Sequence, residues 1–234
     1  DEKLTKSLVT SVDYLTQLQE LGNTTIVRLA CSPIDAYEFA KADPPFIILE
    51  ALHRQYDQAA RLLEYRPGRE NTGFIPITDI MEISSQWAAF LDKLHNNNMG
   101  YDEAKPEHVF YRDGRLRIID CNLSPAMGTP IDEDRKKKDI AKFTLGIMHR
   151  LITNIKPEDE DKERDKYPQG GHNQISFGEM ESLVPDDLKW LIADGIKRKY
   201  ASALELKVKI DEIKEEITKS KQVEWEAKRV KISI

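Results

Sequence analysis

The chain has 234 residues, enough for one large domain or two small ones. Hydrophobic residues make up 40% and charged residues 32%, which suits a globular protein with an ample core, and the net charge of −6 argues against a dominant nucleic-acid surface. Cys31 and Cys121 are the only cysteines, which excludes a disulfide framework or a Cys-rich zinc site and fits a reducing, cytoplasmic setting. No apolar run approaches the roughly 18 residues of a membrane span, and the opening DEKLTKSL does not read as a signal peptide.

Leu4, Leu8, Val12, Leu15, Leu18 and Leu21 recur at three- and four-residue steps and predict one amphipathic helix, closed by Gly22-Asn23. Ile26 to Ala30 reads as a strand, and Ser32 to Asp43 as a turn with a second short strand. Pro44-Pro45 introduces Phe46 to Leu49, a buried strand ending at Glu50. Ala51 to Tyr65 reads as helical and Arg66 to Gly73 as a loop. Thr78 or Asp79 is the expected N-cap of a helix that turns Ile80, Ile83, Trp87, Phe90, Leu91 and Leu94 inward and dissolves in His95-Asn96-Asn97-Asn98.

The stretch Gly100 to Asp120 organises the chain. Val109, Tyr111, Leu116, Ile118 and Ile119 predict two short strands, and Asp113-Gly114 between them is a strong hairpin signal. A hairpin folds its ends together, so Glu103 and Asp120 are expected near one another. A polar segment, Cys121 to Lys138, precedes a helix with Ile140, Phe143, Ile147, Leu151 and Ile152 on its inner side. Lys156 to Gly171 is charged and reads as a mobile loop. Helices over Asp186 to Lys197 and Ser202 to about Lys221 follow, and the tail, Val223 to Ile234, reads as a strand. Trp87, Trp190 and Trp225 are expected in the core. The hairpin is too small to build a large sheet and is expected to lie on a helical body.

These residues resemble the protein-kinase-like superfamily. Leu94-His95 followed by MGYDEAKPEHVFYRDGRLRIIDCNLS resembles the kinase catalytic loop, its hairpin and the metal-binding Asp motif, with Lys105-Pro106-Glu107 matching without a gap. Ile26 to Leu29 resembles the strand after helix αC. Phe46 to Glu50 resembles the strand leading to the hinge, with Leu49 at the gatekeeper place and Glu50 to Leu52 as the hinge whose backbone holds an adenine ring. Asp139 with Phe143-Thr144-Leu145-Gly146 resembles the buried helix αF, where the Asp caps the helix and accepts backbone N–H groups of the catalytic loop. Leu188 to Ile213 resembles the closing helices of the large lobe. The resemblance implies an α+β, kinase-like fold, with a small-lobe remnant over residues 1–50 and a large lobe over 51–234.

Several positions depart from the family pattern. Tyr101-Asp102-Glu103 stands for His-Arg-Asp, His108 for the Asn that holds a second Mg²⁺, and Asp120-Cys121-Asn122 for Asp-Phe-Gly. The resemblance makes Glu103 the place of the catalytic base, Lys105 the phosphate contact, and Asp120 and His108 the metal places, with ATP and Mg²⁺ as the cofactors of an active form. The αC glutamate has no clear match; Asp13 or Tyr14 falls near its place. Only eighteen residues, Cys121 to Lys138, separate Asp120 from Asp139, which resembles the small atypical kinases. The first expectation is a pseudokinase that binds a protein partner or scaffolds. The alternatives are an atypical ATP-dependent kinase, on Ser/Thr or a small molecule, and a domain that only docks through its αC face. No nucleic acid or membrane partner is expected, and the small-lobe remnant is the expected place of self-association.

Overall fold

The structure is a computed structural model that describes residues 2–52, 57–58, 75–101, 104–119, 123–124, 130–153 and 175–219. It is a mixture of helices and small antiparallel sheets, the α+β class. Helix α1 (Glu2–Glu20) buries Val12, Tyr14, Leu15 and Leu18. Its C-terminal end is fixed by Gly22 at φ 66° and by the Lys93 ammonium, which donates to the Leu21 carbonyl at 2.5 Å. Helix α2 (Pro33–Ala40) occupies the stretch read as a turn and strand. Ser32 accepts the Asp35 N–H, Pro33 sits in the first turn, and these start signals outweigh the weak strand pattern.

Around the hairpin the strands join edge to edge. Strands β3 (Val109–Arg112) and β4 (Arg115–Ile118) pair antiparallel, with Asp113 at φ 48° and Gly114 at φ 75° making the tight turn that Asp-Gly predicts. Strand β1 (Asp57–Gln58) adds to β3, which corrects the helix expected over Ala51 to Tyr65: of the four residues described there, Ala51 and Leu52 are not helical and the other two are strand. On the far side, Ile26 bridges parallel to Ile118, and Leu29 bridges antiparallel to Leu49. Strand β2 (Gly100–Tyr101) pairs separately with β5 (Leu123–Ser124).

The segment Phe46–Leu49 corrects the expectation of a buried strand. Phe46 is 44%, Ile48 42% and Leu49 37% exposed. Ile47 packs against the core and Phe46 stacks on Phe39 at 5.0 Å, yet three of the four side chains stay exposed, so apolar composition here does not report burial. The loop at 66–73, the charged segment 156–171, the tail 223–234 and Trp225 lie outside the described residues. Trp190 is 43% exposed and not a core residue.

Helix α3 (Ile77–Asn96) is the axis of the core, starting after Pro76 rather than at a Thr78 or Asp79 cap. Its Trp87 is wholly buried, stacked on Phe143 at 5.9 Å and edge-on to Tyr101 at 5.5 Å. The hairpin rests on this helix, as expected. Gln86 donates to the Gly114 carbonyl at 2.7 Å and accepts the Leu116 N–H at 3.0 Å. Helix α4 (Glu133–Phe143) starts earlier than expected because Asp132 caps it, accepting the Arg135 N–H at 2.7 Å. The basic run Arg135 to Lys138 is therefore helical. The helix continues through a π-helical stretch, Thr144–His149, into α5 (Arg150–Thr153). Helices α6 (Asp186–Ile196) and α7 (Ala203–Lys219) close the body. Among the described residues no helix is long and apolar enough to cross a membrane.

Two packing features give measurable consequences. A Cβ on Gly195 of α6 would lie 2.4 Å from Thr144 Oγ1, and Thr144 is itself buried and bonded to the Ile140 carbonyl. Gly195→Ala should therefore destabilise by about 1–3 kcal/mol despite the better helix propensity of Ala, as read by urea denaturation. Between α3 and α7, burial pushes the Glu82 and Asp211 carboxyls up, but Lys214 and Gln86 on the first, and Lys207 and Ser85 on the second, hold both below their ordinary values. Their stabilisation is present above the unfolded carboxylate pKa of about 4 and is lost as pH falls through the lower folded values. The double variant Glu82→Gln, Asp211→Asn should lose less stability than the parent between neutral pH and pH ~3 in urea titrations.

Candidate functional site

The site is built around the carboxylate of Asp139, which is fully buried on α4. Oδ1 accepts from Arg135 Nε at 2.8 Å, one helical turn back. Oδ2 accepts the Tyr101 backbone N–H at 3.1 Å and faces His95 Nε2 at 3.3 Å. With Nε2–H donating to Asp139, His95 Nδ1 is buried with no partner among the described residues. Asp139 thus ties the end of α3, the end of β2 and α4 together. It does not cap its helix, since Asp132 does, but it accepts a backbone N–H at the place the resemblance assigns to the catalytic loop.

From Tyr101 the chain enters the loop. Ala104 and Pro106 are buried and Lys105 between them is exposed. Pro106–His108 forms a single 3₁₀ turn, closed by the His108 N–H donating to the Lys105 carbonyl at 3.0 Å. The His108 carbonyl then accepts the Ile119 N–H at 3.0 Å, so the loop and the residue before Asp120 are held together through the backbone. Glu107 is held by a fork-like pair from Arg150, at 2.7 and 3.1 Å. It anchors the loop to α5.

Glu103 and Asp120 lie outside the described residues. The residues flanking them are placed: Tyr101 and Leu123 are register partners in the β2–β5 ladder. Glu50 is engaged as a side chain, a role the sequence did not suggest. It accepts the Arg28 N–H at 2.9 Å and pairs with the guanidinium groups of Arg28 and Arg117. Arg117 also donates to the Thr24 carbonyl at 2.6 Å, and burial, then the neighbouring Arg28, lowers its pKa. The cluster stitches the Phe46–Glu50 segment to β4. Leu52 is half-buried. On α1, Tyr14 is buried, and Asp13 receives the Tyr37 hydroxyl of α2, a bond that with burial pushes the Tyr37 phenol up to about 12.

His95, Arg135 and Arg150 were missed from the sequence. Arg135 stands four residues before Asp139, the spacing of a helical ion pair, and that signal was legible. His95 and Arg150 join partners 44 and 43 positions away, which no local pattern reports. Among the described residues no group of three or more His, Cys, Asp or Glu side chains is arranged to hold a metal ion.

Comparison with models of known protein families and with curated proteins finds no match to this chain.

Removing the Asp139 carboxylate leaves the Tyr101 N–H and His95 buried without their acceptor, so Asp139→Ala should cost about 3–5 kcal/mol in chemical denaturation. Arg135→Ala, whose partner keeps its other two donors, should cost distinctly less.

Proposed function

We propose that this chain is a kinase-like protein of the pseudokinase kind, which keeps the large-lobe arrangement and works by binding or scaffolding a protein partner in the cytoplasm. The observation that carries the reading is the buried Asp139 carboxylate accepting the Tyr101 N–H at 3.1 Å. It is the contact that the resemblance to the αF helix implies, between residues 38 positions apart. The β2–β5 pairing and the hairpin laid on α3 support the same layout.

The chemistry argues for lost transfer. Phosphoryl transfer depends on positioning and charge neutralisation, with metal ions between the phosphates. Mg²⁺ takes oxygen donors in near-octahedral geometry, and the His108 imidazole does not fit the second metal place. Glu103 carries its carboxylate one methylene farther than the family's Asp, and errors of that size cost orders of magnitude in rate. Lys105, exposed beside the loop, is the feature that favours the second reading, an atypical ATP-dependent kinase with Glu103 as base, Asp120 as Mg²⁺ ligand and Lys105 on the phosphates.

Transfer from ATP in the presence of Mg²⁺ should be no faster for the parent than for Asp120→Ala; turnover that this substitution abolishes would establish the second reading instead. Thermal unfolding with and without Mg²⁺-ATP separates a nucleotide-binding scaffold from a pure docking domain. Nucleotide at 100 times its Kd adds about 2.7 kcal/mol of stability, and a docking domain shows no shift.

A further inference from the structure

Alternation along the hairpin separates a buried face from an outer one. Val109, Leu116 and Ile118 are buried, and Tyr111 on the same side reaches Asp79 of α3. The register pairs Phe110 with Arg117 and Arg112 with Arg115, so these four side chains share the other face. Arg112 stands directly opposite Arg115, and like charges in that relation destabilise a strand pair. Arg112 pairs with the neighbouring Asp113 at 2.9 Å. The exposed Arg115 guanidinium has no ion pair or hydrogen bond among the described residues. Arg117 is fixed by the Thr24 carbonyl at 2.6 Å and by Glu50, which it shares with Arg28, 53% exposed on the neighbouring segment. Three guanidinium groups, Arg28, Arg115 and Arg117, thus answer to one carboxylate among the described residues, on a chain whose net charge is −6.

The layout selects an acidic peptide. Strand β4 is bonded to β3 along one edge, and on the other the Ile118 N–H and C=O meet the Thr25 carbonyl and the Val27 N–H. A partner therefore cannot add as a further strand beside β4 and must engage its side chains. Arg115 and Arg117 are two positions apart on a strand, a step of about 6.8 Å. An extended segment with a carboxylate at every second residue has the same repeat, and forked guanidinium–carboxylate pairs are strong. Ile26 lies opposite Ile118 in a parallel bridge, which carries Arg28 past Arg117 in the same direction and offers a third step to a third acid. Asp113 and Glu50 stand among these arginines. They oppose a nucleic-acid backbone, which carries a charge at every unit, whereas a peptide sets a neutral residue between its acids.

We propose that the outer face of the β3–β4 hairpin, through Arg115, Arg117 and the adjoining Arg28, docks an extended acidic segment of a partner protein whose carboxylates recur at every second residue. The inference rests on the reading of the chain as a protein-binding scaffold and names the chemistry of its partner. Turnover of ATP bears on that reading; peptide binding is measured without nucleotide, so the two fail separately. A fluorescein-labelled Ser-Glu repeat peptide, titrated with the full chain at low ionic strength, should gain anisotropy to saturation. A Ser-Gln repeat should not, and added salt should weaken the binding. Arg115→Glu and Arg28→Ala should each raise the Kd at least about tenfold. Arg115→Glu also replaces a like-charged cross-strand pair with an opposite one, so its melting temperature should equal or exceed the parent's while binding is lost. A Ser-Glu repeat bound no better than the Ser-Gln repeat would overturn the proposal. So would binding untouched by Arg115→Glu, or single-stranded RNA or phosphatidylserine vesicles that bind through Arg115 more tightly than the peptide.

Discussion

The arrangement of this protein depends on one carboxylate taken out of water. A buried anion is tolerated only when donors surround it, and among the described residues Asp139 has three, from a guanidinium, an imidazole and a backbone amide. Each comes from a different stretch of chain. The cost of desolvating the anion therefore makes the stretches interdependent: if the end of α3 or the end of β2 moves away, the charge is left short of a donor. Specificity of this sort is what a buried ionic group can contribute where apolar packing alone would accept many arrangements.

Around that point the contacts divide into two kinds. Apolar packing supplies the bulk, with Trp87 between Phe143 and Tyr101 filling the space below the loop. Polar side chains then fix register. Gln86 satisfies one donor and one acceptor of the hairpin, and a hairpin shifted by one residue would lose both bonds and turn its buried face outward. Arg150 does the same for the loop through Glu107. Both are single long side chains reaching from a rigid helix to irregular backbone, which lets the helical body dictate the loop conformation.

Much of this was legible in the sequence. The apolar repeat that predicts α1, the inward face of α3, the Asp-Gly turn and the final two helices all follow from periodicity and turn chemistry, which are local. Asp139 was also singled out, because its spacing from Phe143-Thr144-Leu145-Gly146 resembles a known helix. The failures have physical causes. Residues 33–40 carry a short helix whose Ser-Pro start was outweighed by an apolar pattern too brief to show a period. Phe46–Leu49 read as buried because composition cannot say whether a strand has neighbours on both sides. Asp57–Gln58 are in a strand only because β3 lies beside them, and nothing in two polar residues announces that. The partners of His95, Glu50 and Glu107 come from distant parts of the chain, so they are decided by tertiary structure alone.

The π-helical stretch Thr144–His149 has a consequence for how this chain tolerates change. Each residue of an α-helix turns the backbone by about 100°, so widening one turn re-phases everything beyond it. Upstream, Asp139 and Phe143 are aimed at Tyr101 and Trp87; downstream, Arg150 is aimed at Glu107. The wider turn acts as a phase adjuster between two targets that a uniform helix of this length would not address together. Length variation within those six residues would swing the Arg150 guanidinium off its carboxylate while leaving the Asp139 cluster intact, separating the anchoring of the loop's far end from the anchoring of its start.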